Sequence, residues 1–163
     1  MIKGLQAIGV EIEKTLVDGQ AALIVTPNKL MGPAQIDVGN AGTVMRFLPP
    51  VAALANGLIH FDGDPRSHER PIDEVIKALE KLSVSIEHNK KYRLPITING
   101  NGKLKGGRIE IDASASSQFI SSLLLIGPAT ETGLEIINIG KSLPSLPHIE
   151  MTIAMLEQFG AVS

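Results

Sequence analysis

One pattern of apolar positions occurs three times along the chain, and each copy predicts a helix with a single buried face. In the second copy, apolar residues at positions 72, 75, 76, 79 and 82 follow the i, i+3, i+4, i+7 spacing of such a face. The third copy uses positions 149, 152, 153, 156 and 159, and the first covers Ile2–Ile8. A short apolar segment follows the first two copies. Pro71 and Pro147 are expected in the first turns of the later helices.

A second kind of helix alternates with the first and follows a strand and a small polar turn. The strand ending at Val38 leads into such a helix, where Asn40 is predicted to be the N-cap and Gly42 to lie in the first turn. About 74 residues later, a serine-rich turn precedes the apolar helix that includes Phe119. The prolines at positions 49 and 50 fall inside the first of these helices, where we expect a kink or a break.

Short apolar segments between the helices predict strands, at Ala22–Val25, Leu58–Phe61, Arg93–Ile98, Arg108–Ile111 and Leu134–Ile139. The glycine-rich segment from Gly100 to Gly107 lacks a P-loop pattern and is predicted to be a hairpin turn. A period near 75 residues is too long for a solenoid. The repeat therefore predicts an α/β (α+β) fold of β-α-β-α-β-β units, with equivalent helices packed centrally. The first unit lacks its capped helix, so we expect residues 1–163 to be a single, incomplete domain.

The amino-acid composition argues against some classes of binding partner. The chain is 44% hydrophobic but only 3% aromatic, has no tryptophan and carries a net charge of −2. These values offer no stacking surface or global attraction for nucleic acid or for a membrane. The longest mostly apolar run, Phe119–Ala129, is too short to span a bilayer. There are no cysteines, which excludes disulfides and thiolate metal sites and suits a cytoplasmic protein.

Two clusters of residues suit the binding of a phosphate or a carboxylate. Gly42 lets a ligand approach the first turn of its helix, and Arg70, held by Pro71, is predicted to face the same end and make a forked contact. Ser116 and Gln118 bring a hydroxyl and an amide to the start of the later helix. The alternatives left open are an ordinary capped helix, a simple serine cap and solvated surface charges. The four histidines lack metal-ligand spacing, so no metal is expected.

Four motifs make the chain resemble the 5-enolpyruvylshikimate-3-phosphate synthase family over essentially all of its length. They are Asn40-Ala41-Gly42-Thr43-x-x-Arg46, Glu69-Arg70-Pro71-Ile72, Ser116-Ser117-Gln118-Phe119 and Ser145-x-Pro147. The resemblance implies an inside-out fold with sheets outside the central helices, in two domains of three units each. This chain would be most of the shikimate-3-phosphate-binding domain, without its first capped helix and without the second domain.

The resemblance also implies roles for individual residues. Phosphoenolpyruvate would be bound by Gly42, Arg70 and Gln118. Shikimate 3-phosphate would be bound by Ser116, Ser117, Gln118, Ser145 and also by His148, which stands where many relatives have tyrosine. Support from behind the site would come from Asn40, Thr43 and Arg46.

The implied reaction is enolpyruvyl transfer from phosphoenolpyruvate to the 5-hydroxyl of shikimate 3-phosphate, with release of phosphate. It implies no cofactor, no catalytic acid or base within this segment, a monomer, and the missing second domain as the partner. The segment alone is expected to be inactive. Two alternatives stay open: an enolpyruvyl transferase acting on UDP-N-acetylglucosamine, against which the first and third motifs argue, and a non-catalytic anion-binding module.

Overall fold

Helices and strands alternate along the chain as the repeat predicts. The structure is a computed structural model that describes residues 1–161. Two short 3₁₀ turns, Pro65–Glu69 and Gly127–Ala129, interrupt the loops. The helices and strands are α1 (Ile2–Ala7), β1 (Glu11–Val17), β2 (Gln20–Thr26), β3 (Ala34–Asp37), α2 (Gly42–Ala53), β4 (Asn56–Asp62), α3 (Asp73–Lys81), β5 (Ser85–Glu87), β6 (Ile96–Asn101), β7 (Gly107–Ile111), α4 (Gln118–Leu124), β8 (Leu134–Asn138) and α5 (Leu146–Gln158).

The repeat is visible in the way the strands pair. In the middle unit, β3, β4, β6 and β5 form a four-stranded sheet in that order, with β3 parallel to β4 and the other pairs antiparallel. Strands β7 and β8 repeat the parallel pair of β3 and β4, whereas β1 and β2 repeat an antiparallel pair. The predicted α/β fold built from β-α-β-α-β-β units is therefore confirmed.

Helix α3 buries the apolar face that its spacing predicts. Ile72, Val75, Ile76 and Leu79 are fully buried, and Leu82 is nearly so. The third copy is buried only at its start, because Ile149 and Thr152 are covered while Phe159 is 87% exposed. Helix α4 packs between α2 and α5, so the equivalent helices α2 and α4 lie side by side as expected. Val162, the last residue of the third copy, lies outside the described residues.

The start of α2 differs from the prediction. Ala41, in extended conformation, is the N-cap, and Asn40 lies one residue earlier. The side chain that binds the turn is Asp37, whose Oδ1 accepts a hydrogen bond from the Gly39 amide at 2.7 Å. Because Asp37 already stabilises this turn, the prediction of Asn40 as the N-cap is wrong. Gly42 is the first residue of the helix, as expected.

The prolines agree with the predictions only in part. Helix α2 continues through Pro49 and Pro50 without a break, and both prolines are buried, so packing retains the helix although two amide donors are missing. Pro147 lies in the first turn of α5 as predicted. Pro71, in contrast, precedes Ile72, which is the N-cap of α3. Pro71 therefore acts before the helix and not within its first turn.

Two strand predictions near the end of the middle unit need correction. Strand β6 begins at Ile96 and not at Arg93, because Pro95 has no amide to donate to the sheet. The segment from Gly100 to Gly107 is not a hairpin turn, since β6 pairs with β4 and β5 while β7 pairs with β8. This segment links two sheets. No helix in residues 1–161 has both the length and the apolar character that a bilayer span needs.

Candidate anion-binding site

The candidate site begins with a contact between Gly42 and the side chain of Arg70. The Arg70 guanidinium lies directly against Gly42, since a Cβ placed on that glycine would overlap Arg70 Nη2. Arg70 Nη1 donates to the Asn40 carbonyl at 2.7 Å. The 3₁₀ turn that ends at Glu69 delivers Arg70 to this position, and its backbone is extended there. The absence of a side chain at Gly42 is what allows the guanidinium to cover the start of α2.

Arg46 connects this corner to helix α4. Its Nη1 donates to Gln118 Oε1 at 2.9 Å, and its Nε donates to the Pro71 carbonyl at 3.1 Å. The side chain is only 8% exposed, and its Cζ lies 5.4 Å from the centre of the Phe119 ring. Burial, and secondly the charge of Arg70, lower the pKa of Arg46 from its usual value. Arg46 is thus a buried cation held by two directional hydrogen bonds and by its contact with the Phe119 ring.

Within the part of the chain that the structure describes, neither arginine has a carboxylate partner. Ion pairs in residues 1–161 involve other cations, and none includes Arg46 or Arg70. Their hydrogen bonds go to carbonyl and amide oxygens, which are neutral. The first amides of α2 lie beside Arg70 and carry the partial positive charge of a helix N-terminus. The corner therefore has excess positive charge that an anion would neutralise.

The serines beside Gln118 surround the start of α4. Ser116 Oγ accepts a hydrogen bond from the Gln118 amide at 3.2 Å. Ser117 is the N-cap residue and is 5% exposed, but its side chain does not cap the helix. Ser117 is therefore not a simple side-chain cap of α4, which was one of the alternatives left open by the sequence. Thr43, in the first turn of α2, is exposed.

Ser145 and His148 stand at the start of α5, and both are exposed. Ser145 is the N-cap residue in left-handed conformation, with φ 55° and ψ 50°, which is uncommon for a residue with a side chain. Helix α5 is joined to α4 by a hydrogen bond of 3.0 Å from Thr152 Oγ1 to Ser121 Oγ. The structure thus places Ser145 on a helix next to α4, without a direct contact to the Arg46–Gln118 pair.

The remaining histidines have other partners. His68 Nε2 lies 2.7 Å from Asp62 Oδ1, and His88 Nε2 lies 3.0 Å from Glu80 Oε1. His60 Nδ1 lies 3.0 Å from Thr97 Oγ1. The described part of the chain holds no cluster of histidines and carboxylates that would suit a metal ion.

Two cavities near the start of α2 are lined by different residues. A shallow cleft of about 380 Å³ is lined by Asn40, Arg66, Glu69, Arg70 and Pro71. A larger cavity, of about 1090 Å³, lies between α1, β1, β3 and the start of α2. It contains neither Arg70 nor Gln118, so size alone does not locate the anion-binding residues.

The link between Arg46 and Gln118 was not predicted from the sequence. The repeat places α2 beside α4, but Arg46 and Gln118 belong to different turns of their helices. Helical periodicity identifies a face and not the individual pairs across it. The carbonyls of Asn40 and Pro71, which hold the two arginines, were missed because any residue type supplies a carbonyl.

Fold and site together describe a domain of repeated β-α-β-α-β-β units with two arginines, without carboxylate partners in the described chain, beside the start of α2. The family model of EPSP synthase (3-phosphoshikimate 1-carboxyvinyltransferase) matches residues 1–162, and the chain belongs to this family.

Two solved structures of EPSP synthase from Acinetobacter baumannii have a similar fold. They match this chain with TM-scores of 0.69 and 0.70 at 24% sequence identity. The matches cover 99% of this chain but only 35% and 36% of the solved chains. This chain thus spans about a third of the length of those relatives.

Proposed function

We propose that this chain is part of an enzyme that transfers the enolpyruvyl group of phosphoenolpyruvate to the 5-hydroxyl of shikimate 3-phosphate. Membership of the EPSP synthase family supports this reaction. The observation that carries it is the Arg70 guanidinium lying on Gly42, without a carboxylate partner in the described chain. That cation suits a phosphate or carboxylate better than it suits a structural role.

Phosphoenolpyruvate is the ligand we assign to Arg70, Gly42 and Gln118. Arg70 would contact its phosphate with the fork of the guanidinium, and the missing side chain at Gly42 gives that guanidinium its place beside the first turn of α2. Gln118 lies on the neighbouring helix and would reach both substrates. Thr43 and Asn40 flank the same turn and would shape it from behind.

Shikimate 3-phosphate is the ligand we assign to the α4 and α5 side. Ser116, Ser117 and Ser145 would donate hydroxyl hydrogen bonds to its phosphate. Ser145 is held in an uncommon backbone conformation, of a kind that is concentrated at functional sites. His148, one turn further along α5, would lie near the shikimate ring.

The chain contributes position and electrostatic stabilisation to this reaction. Phosphoenolpyruvate is protonated at its methylene carbon while the 5-hydroxyl loses its proton and its oxygen attacks C2. The tetrahedral intermediate then loses phosphate together with a proton of the new methyl group, which restores the double bond of the enolpyruvyl group. The arginines and helix amides of this chain would hold the anions during these steps. We assign the acid and base to the second domain, which we propose as the partner of this incomplete domain. We further propose that the whole enzyme is cytoplasmic, monomeric and independent of a cofactor, and that this chain alone binds weakly at best and does not turn over.

A titration with shikimate 3-phosphate, followed by amide chemical shifts, tests the proposal. We expect shifts clustered at Ser116–Gln118 and Ser145, and much weaker shifts with shikimate, which lacks the phosphate. Equal responses to both compounds, or a stronger response to UDP-N-acetylglucosamine, would contradict it. Synthase activity from the purified chain would contradict the assignment of the acid and base to the second domain.

A further inference from the structure

We propose that Arg46 is a positioning residue that sets the direction of the Gln118 amide and the place of Arg70. This inference rests on the proposed function for its consequence in binding, but its structural part is tested separately. One planar group of Arg46 binds Gln118 of the candidate phosphoenolpyruvate site directly, and it binds the carbonyl of Pro71, the residue that follows Arg70.

The first step concerns the orientation of Gln118. A guanidinium carries only hydrogen-bond donors, so the atom of Gln118 that faces Arg46 at 2.9 Å must be the amide oxygen. The amide nitrogen then points away from Arg46. No residue in the described chain accepts a hydrogen bond from that nitrogen. Because Arg46 binds the amide oxygen of Gln118, the NH₂ group of Gln118 faces the site. There it can donate hydrogen bonds to an anionic ligand.

The second step concerns the position of Arg70. Arg46 Nε holds the carbonyl of Pro71, the residue that follows Arg70, and Arg70 Nη1 holds the carbonyl of Asn40. The first bond fixes the backbone just after Arg70, and the second fixes the guanidinium at the end of its side chain. Arg46 thus connects the strand-to-helix loop of the middle unit to the start of α4.

The third step concerns the cost of the arrangement. Arg46 is buried without a carboxylate and is repelled by Arg70, and both effects disfavour its charged form. An apolar side chain over Phe119 would avoid that cost. An anion bound beside Arg70 would offset the repulsion. The arrangement therefore favours a role of Arg46 in binding over a role in stability alone.

The first experiment follows the side-chain amide of Gln118 by NMR. In Arg46→Lys, one ammonium point charge replaces the planar fork and cannot hold the two carbonyl oxygens in the same geometry. We expect the side-chain NH₂ signals of Gln118 to move, and those of the matched control Arg108→Lys, an exposed arginine near Glu110, to stay unchanged. Unchanged Gln118 signals in Arg46→Lys would overturn the proposal.

The second experiment measures phosphoenolpyruvate affinity in a double-mutant cycle. We expect Arg46→Lys to weaken binding roughly tenfold, since charge-assisted hydrogen bonds are lost. The same change in a Gln118→Met background should have a much smaller effect, because Arg46 then has no amide to direct. If Arg46→Lys weakened phosphoenolpyruvate binding equally in both backgrounds, Arg46 would not act through Gln118, and this part of the proposal would be overturned. Shikimate 3-phosphate affinity should fall less in Arg46→Lys, because Gln118 is only one of several residues assigned to that ligand.

A third variant keeps the test open if Arg46→Lys does not fold. Gln118→Glu retains an oxygen facing Arg46 but has no amide donor, so it should fold and bind phosphoenolpyruvate at least tenfold more weakly. Wild-type affinity in Gln118→Glu would overturn the proposal. If the wild-type chain binds no phosphoenolpyruvate at all, the proposed function loses support, and the Gln118 amide signals alone decide the positioning role of Arg46.

Discussion

The middle and third units contain the same helical pattern but bury it to different extents. In α3 of the middle unit, Leu79 is fully buried and Leu82 is 8% exposed. In α5 of the third unit, the equivalent Leu156 is only partly buried and Phe159 is 87% exposed. The middle unit has a sheet of four strands, whereas the third has only two in the described residues. Periodicity thus selects the face of a helix, and the neighbouring sheet decides how far that face is covered.

The candidate site lies where these two units meet. Arg46 and Arg70 come from the middle unit, and Gln118 begins the helix of the third. The middle unit supplies the two cations, and the third supplies hydroxyls and an amide. The comparison between the units therefore separates contributions to stability from contributions to binding, and substitutions at equivalent positions can measure both.

The largest expected effect is on stability, from the pair Leu79→Ala and Leu156→Ala. Leu79→Ala should lower the free energy of unfolding by about 3 kcal/mol, because it removes a fully buried side chain and leaves a cavity. Leu156→Ala should lower it by about 1 kcal/mol, since the side chain is already partly hydrated. Urea denaturation of both variants gives the two values. Equal losses would mean that the third unit is as well covered in solution as the middle one.

The next effect is on binding and compares glycines of the two units. In Gly42→Ala, the new methyl group must displace the Arg70 guanidinium, which is the flexible end of a side chain. The free energy of unfolding should therefore change by less than about 1 kcal/mol, while phosphoenolpyruvate affinity should fall roughly tenfold. Isothermal titration with both substrates tests this expectation.

Gly127→Ala is the control for that measurement. A methyl group there meets only Leu134 Cβ, at 3.8 Å, so neither affinity should change. An equal loss of phosphoenolpyruvate and shikimate 3-phosphate affinity in Gly42→Ala would contradict the placement of phosphoenolpyruvate beside Arg70.

The success of sequence-based prediction differs between local and long-range features. The face of α3 was predictable because its spacing is local, whereas the repeat predicted the order of helices and strands but not the parallel pairing of β3 with β4 and of β7 with β8. The hairpin expected at Gly100–Gly107 was wrong because strand pairing depends on residues far away in the chain. For the same reason the contact between Arg46 and Gln118, 72 residues apart, had no sequence signal. The roles of the site residues remain predictions for the experiments above.

The smallest expected effect is the pH dependence at the ends of β4 and β8. Asp62 ends β4, and Asn138 ends β8. The hydrogen bond from the Gly63 amide, and secondly His68, lower the pKa of Asp62 below 3.8. A carboxylate with a lowered folded-state pKa stabilises the protein above its unfolded-state pKa, and this contribution is lost as the pH falls through the folded-state value.

Asp62→Asn gives the middle unit the uncharged residue that the third unit already has, and it retains an oxygen that can accept the Gly63 hydrogen bond. We expect the variant to be less stable than the wild type at pH 7 by about 0.5 kcal/mol or less, because the Asp62 side chain is 51% exposed. The difference should shrink as the pH falls below 3.8. Urea denaturation of both proteins at pH 7, 5 and 3 measures it, and other carboxylates, such as Asp112, contribute equally to both proteins and cancel. A difference that stays constant over this range would show that Asp62 acts through its shape and not through its charge.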